Sequence, residues 1–145
     1  MTAVKDLLAR KGLAVLSVGK NATALEAAQR MNDNSVGCLV VIDEGKVIGI
    51  FTERDILRRI VAERRDPGTT KVQEVMTREI VGCSMETDLE EARSVFKNRR
   101  IRHLPVVDDS KHLLGLISIG DLNAFEADTQ EHTIYLMQEY IYGRT

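Results

Sequence analysis

The chain has 145 residues, 43% hydrophobic and 29% charged, with a formal net charge of −2. That is enough apolar material for one ordinary domain or two small units sharing a core. The near-balanced charge excludes a global attraction to nucleic acid, and no run approaches the roughly 18–20 apolar residues of a membrane span.

The opening MTAVKDLLARKG lacks the apolar centre of a secretory signal. Cys38 and Cys83 stand in no metal-ligand or redox spacing and read as reduced, mostly buried thiols. Both signs point to a cytoplasmic protein. His103, His112 and His132 are scattered and have no carboxylate cluster beside them, so no metal site is expected.

A first strand is expected around Val18. The stretch ATALEAAQRMNDNS (22–35) repeats apolar residues at three- and four-residue spacing and predicts a helix. Thr23 stands at its N-cap with Glu26 three positions on. CLVVID (38–43) and VIGIFT (47–52) are β-branched runs around a turn held by Gly45 and predict a hairpin. A second helix is expected over ERDILRRIVAERR (53–65), its arginines forming a solvated face. RRDPGTTK (64–71) is a linker.

The same series then returns. A shift of 65 residues lays Leu16–Asp43 over Val81–Asp108, with Ala27 on Ala92, Leu39 on Leu104 and Val41 on Val106. One residue added in the next turn makes the shift 66, which sets Gly49, Thr52 and Asp55 on Gly115, Ser118 and Asp121. Helix TDLEEARSVFKNRR (87–100), strands HLPVVD (103–108) and LLGLIS (113–118), and helix GDLNAFEADTQ (120–130) follow, with a first strand near Cys83. Each unit therefore reads β-α-β-β-α and is too small to hide its sheet alone, so the two should pack together. The expected divisions are 1–66, 67–128 and a C-terminal amphipathic helix over 129–145, ended by Gly143.

The repeated phrases GIFTERD and GLISIGD place a hydroxyl at a strand-to-helix junction and an aspartate three residues later. The simplest reading is a helix cap, twice. The same geometry suits a ligand: unpaired N–H groups at a helix start attract phosphate, a hydroxyl can donate to it, and an aspartate can accept from ribose hydroxyls. The glycine leaves room for close approach of a ligand or of the facing unit. Two such corners would enclose a cleft with apolar walls.

These residues, LVVIDEGKVIGIFTERDIL and IRHLPVVDDSKHLLGLISIGDL, resemble a tandem pair of CBS domains, named after cystathionine β-synthase. VQEVMT (72–77) is the usual run-in to a repeat. The resemblance implies an α/β (α+β) fold, two repeats packed sheet to sheet about a pseudo-two-fold axis. It also implies a non-catalytic regulatory module for AMP, ADP, ATP, NAD(H) or S-adenosylmethionine, with no catalytic cofactor. On that model Thr52 and Ser118 meet phosphate or ribose, and Asp55 and Asp121 hold ribose hydroxyls. Arg102 and His103 reach phosphate, for which the first copy has only Gly37 and Cys38, with Arg54 as a possible compensation. Val18 and Cys83 line adenine pockets or simply pack. A homodimer and an unidentified target protein are implied, with no nucleic acid and no membrane as partner. An interaction scaffold with vestigial clefts, or a regulator of a thioredoxin-like redox enzyme, stands as the alternative.

Overall fold

The computed structural model describes residues 2–129. The expected C-terminal helix, apart from Thr129, lies outside the described residues.

Helix α1 (Val4–Lys11) leads, followed by β1 (Ser17–Gly19), α2 (Ala24–Asp33), β2 (Cys38–Asp43) and β3 (Lys46–Thr52). Helix α3 (Glu53–Asp55) runs directly into a wider π-helical stretch, Ile56–Val61. After the linker come α4 (Val72–Val75), α5 (Leu89–Arg99), β4 (His103–Val107), β5 (Leu113–Ser118) and α6 over the described residues 119–129.

The predicted hairpins are present. β2 pairs antiparallel with β3, and β4 with β5; a bulge falls after Val41 in one and after its counterpart Val106 in the other. Glu44 and Gly45 both have positive φ, 52° and 79°, the backbone a two-residue hairpin turn requires. Thr23 accepts a bond from the Glu26 N–H, and Asp88 accepts one from Glu90, so both copies of the long helix carry a side-chain N-cap.

Two expectations need correction. The helix after β3 stops its regular course at Asp55, and the segment to Val61 is widened, with Ala62 bonding back to Leu57. This accompanies the turning of Arg59 onto the Met76 carbonyl, 2.8 Å away. The second copy's first strand is also lost: β1 pairs parallel with β2 over three residues, whereas Cys83 makes a single bridge to Val106. The chain there offers only Cys83 N–H to Pro105 and Cys83 C=O to Val107.

The copies meet on a pseudo-two-fold axis that the backbone bonds locate. Lys46 bridges His112, its own counterpart in the other copy. Val47 N–H donates to Lys111 C=O and Leu113 N–H to Gly45 C=O, two bonds that the symmetry exchanges. Likewise Glu53 N–H reaches Gly37 C=O and Ile119 N–H reaches Arg102 C=O, both at 3.1 Å.

The leading helices are exchanged. Val4, Leu7 and Leu8 of α1 are buried with Leu89, Ala92, Phe96, Leu104 and Ile117 of the second copy. Val72, Val75 and Met76, from the second copy's run-in, are buried with Ala27, Met31, Leu39 and Phe51 of the first. Burying a side chain of this size contributes about 1.5–3 kcal/mol, so three anchors hold each short helix in place. The glycines of the repeated phrase make this possible. A Cβ on Gly49 would stand 2.4 Å from the Met76 sulfur and 3.0 Å from the Thr77 carbonyl; one on Gly115 would stand 2.9 Å from a Leu8 methyl. The close approach expected at these glycines is therefore that of the exchanged helix.

Gly49→Ala should destabilise the protein by about 1–3 kcal/mol in chemical denaturation, as overpacking does. Gly115→Ala should cost less, because only a flexible leucine end has to move. Equal losses in the two variants would contradict this packing.

Candidate functional site

Both copies of the hydroxyl-aspartate phrase are reciprocal caps. Thr52 Oγ1 accepts from Asp55 N–H at 3.2 Å while Asp55 Oδ2 accepts from Thr52 N–H at 3.0 Å. Ser118 Oγ accepts from Asp121 N–H at 3.0 Å while Asp121 Oδ2 accepts from Ser118 N–H at 2.8 Å. The capping reading thus holds, and two orphan donors are satisfied at each helix start.

Beyond the cap the two corners differ. Asp55 is buried, its side chain 6% exposed. Its oxygens also accept from the Thr77 hydroxyl at 3.0 and 3.2 Å, and Arg59 Nε lies 3.7 Å away. Thr77 is there because its backbone pairs both ways with Ile50 on β3. At the second corner Leu116 stands where Ile50 does, and Lys11 takes over from Thr77. Its ammonium donates to Leu116 C=O at 2.7 Å and to Asp121 Oδ2 at 2.6 Å. Lys11 reaches this place because α1 continues for two turns before Gly12 ends it, whereas α4 stops at Val75 and the chain runs on extended. Both partners stay partly accessible, Lys11 at 33% and Asp121 at 28%.

A cleft of about 300 Å³ opens at this second corner, lined by Lys11, Ala14, Val15, Leu16, Val36, Gly37, Cys38, His103, Leu116, Ser118 and Asp121. That volume is at the lower end of small-molecule pockets, roughly 300–1,000 Å³. Its walls come from both copies. The first supplies the entry to β1 and the residues before β2; the second supplies the ends of β4 and β5 and the start of α6. His103 and Ser118 face each other in register across the β4–β5 ladder.

The electrostatics follow from this packing. Burial opposes ionisation of Asp121, but the Lys11 ammonium and the Ser118 N–H outweigh it and hold the carboxyl below its ordinary 3.8. Burial and the nearby Lys11 lower the His103 pKa, against an opposite pull from Asp121, so its imidazole is neutral at pH 7. Burial also raises Cys38, in the cleft, to about 11. A thiol so far from ionisation serves as wall.

Of the residues singled out in the sequence, the structure brings Cys38, His103, Ser118 and Asp121 into one cleft, with Gly37 beside them. Thr52 and Asp55 form the other corner, and Arg54 and Arg102 are exposed outside this cleft. Val18 packs on the first core and Cys83 on the second, the latter raised to about 11 by burial. Lys11 was not legible as a site residue. Its only sequence signal is a basic residue at a helix end before glycine, a common helix stop. Among the described residues no group of His, Cys, Asp and Glu could hold a metal, and no helix is long and apolar enough to cross a membrane.

Comparison with known proteins gives these observations a family. The CBS-domain model matches residues 4–62 and 72–128. The CBS domain-containing protein YhcV of Bacillus subtilis is 38% identical over 122 residues, 84% of each chain. The crystal structure of the CBS-domain containing protein ATU1752 from Agrobacterium tumefaciens superposes with a TM-score of 0.79 at 36% identity, covering 86% of this chain and 99% of that one. The CBS domain pair of protein MJ0100, solved in complex with methylthioadenosine and S-adenosyl-L-methionine, gives 0.72 at 25% identity, covering 86% and 98%.

Asp55→Ala should cost about 1.5–3 kcal/mol of folding stability, because it strips a buried carboxylate from several donors; a loss under about 0.5 kcal/mol would reject its role as a structural cap. Asp121 should reveal itself through pH. Its pKa is depressed in the folded state, so its contribution is present above the ordinary 3.8 and is lost as pH falls through the lower folded value. The melting-temperature gap between wild type and Asp121→Asn should therefore close on acidification from about pH 6 to about pH 2.5. A gap independent of pH would show that the Lys11 pair contributes nothing.

Proposed function

This chain belongs to the CBS-domain family, and we propose that it is a non-catalytic sensor that binds an adenosyl ligand in the cleft between its two repeats and passes the change to a partner protein. The carrying observation is the convergence at one cleft of a capped helix start, the Ser118–Asp121 pair, the Lys11 ammonium and His103 against walls of Leu16, Val36 and Leu116. Apolar walls suit a purine ring, the aspartate suits ribose hydroxyls, and the ammonium suits phosphate. The presence of two adenosyl ligands in the similarly folded MJ0100 pair supports that ligand class.

A non-catalytic role agrees with the protonation chemistry. Asp121 is held ionised by Lys11 and Ser118, so it is a poor proton acceptor at pH 7 and better placed to hold a hydroxyl than to activate one. The candidate ligands are AMP, ADP, ATP, NAD(H) and S-adenosylmethionine. Regulation of a redox enzyme would be one form of the same signalling role. We propose that the working unit is a homodimer. The exposed pair Leu57 and Val61, 61% and 63% accessible and one turn apart on the helix after β3, gives it an apolar contact.

A thermal-shift panel with these ligands should raise the melting temperature with at least one. Binding to the folded state adds about 2.7 kcal/mol at a hundredfold excess over Kd. No shift with any of them at millimolar concentration would leave the scaffold reading in its place. Light scattering should give twice the 16.2 kDa monomer mass; a monomer at all concentrations would reject the dimer.

A further inference from the structure

We infer that Lys11 is the residue that makes the cleft select a phosphate-bearing ligand over a neutral nucleoside. The inference rests on the proposed adenosyl site and assigns to it a cation that comes from the other half of the fold. Lys11 lies 110 positions from Asp121 and enters the second corner only because α1 is exchanged.

An ammonium has three donors. Two of those of Lys11 are committed, to Leu116 C=O and Asp121 Oδ2, and the side chain is 33% exposed at the cleft. The third is available to a ligand oxygen. The other basic side chain of the cleft, His103, is neutral at pH 7. Asp121 puts a carboxylate on the cleft wall, and without Lys11 it would face an incoming phosphate uncompensated. The lysine therefore acts twice: it offers a charge-assisted bond to the anion and cancels the repulsion beside it. A neutral nucleoside needs neither service, since its ribose meets Asp121 and its base meets the apolar walls.

The first corner supplies the contrast. There the place of Lys11 is taken by the uncharged Thr77, whose hydroxyl is spent on Asp55. The Glu53 carboxylate stands against Gly37 of the Lys11 cleft, its Oε2 3.5 Å from where a Cβ would be, and is a second negative charge for Lys11 to offset.

The test is calorimetry with AMP and adenosine on wild type, Lys11→Met and Lys11→Arg. Wild type should prefer AMP. Lys11→Met should weaken AMP by about 10- to 100-fold while adenosine stays within about threefold, the loss expected for a charge-assisted bond. Lys11→Arg, which keeps the charge and carries the result if the methionine variant folds poorly, should retain most of the preference. If wild type binds both ligands and the AMP-to-adenosine ratio is unchanged in Lys11→Met, or is lost equally in Lys11→Arg, the assignment of Lys11 is overturned while the adenosyl site stands. If wild type binds neither ligand, the assignment of Lys11 is overturned, and the adenosyl site falls with it only when the wider ligand panel also gives no shift.

Discussion

Each half of this protein has an apolar core that only the other half's leading helix completes. Gly49 and Gly115 admit that helix to van der Waals contact, and Leu8 and Met76 fill the space a side chain would have taken. The consequence is mechanical as well as energetic. Neither half can bury its core without the other, so the two halves behave as one unit built on a duplicated plan. The bonds around Lys46 and His112 then fix how the hairpins meet, and the strand-to-helix junctions are carried into positions where residues of both copies line one cleft.

The exchange also explains how two copies of one phrase acquired different surroundings. Within each phrase the cap is the same, since an aspartate three residues after a hydroxyl can always reach back to it. What reaches the aspartate from outside depends on where the exchanged segment stops being helical. An early stop after α4 lays Thr77 along β3 and seals Asp55 under a hydroxyl and Arg59. A longer α1 puts Lys11 at the same depth instead, with its charge beside a carboxylate that remains accessible. A buried, saturated carboxylate is best suited to holding the fold, and a half-exposed one in an ion pair can trade partners with a ligand.

Much of this was legible in advance because it is local. Hairpin positions followed from β-branched runs on either side of a turn, helix starts from Thr23, Asp88, Thr52 and Ser118, and the duplication from apolar positions in register. Each of these signals spans a few residues, and backbone geometry alone ties it to structure. The cleft's Cys38 and His103 were also within reach, since both stand at the entry to the second strand of their repeat. The loss of the second copy's first strand was not, because Val81–Cys83 matches Leu16–Val18 in apolar character and differs only in how far its partner strand can be followed.

The sequence by itself determined the repeated architecture, its caps and its family, since these follow from spacing within about sixty residues and from a phrase written twice. Only the tertiary structure decided that the leading helices change places, that Asp55 is closed over by Thr77, and that Asp121 is met by Lys11. The physical reason is that an ion pair between positions 11 and 121 has no periodicity and no local geometry to announce it. It exists because α1 is long enough, and Gly115 bare enough, for one half of the chain to lie against the other.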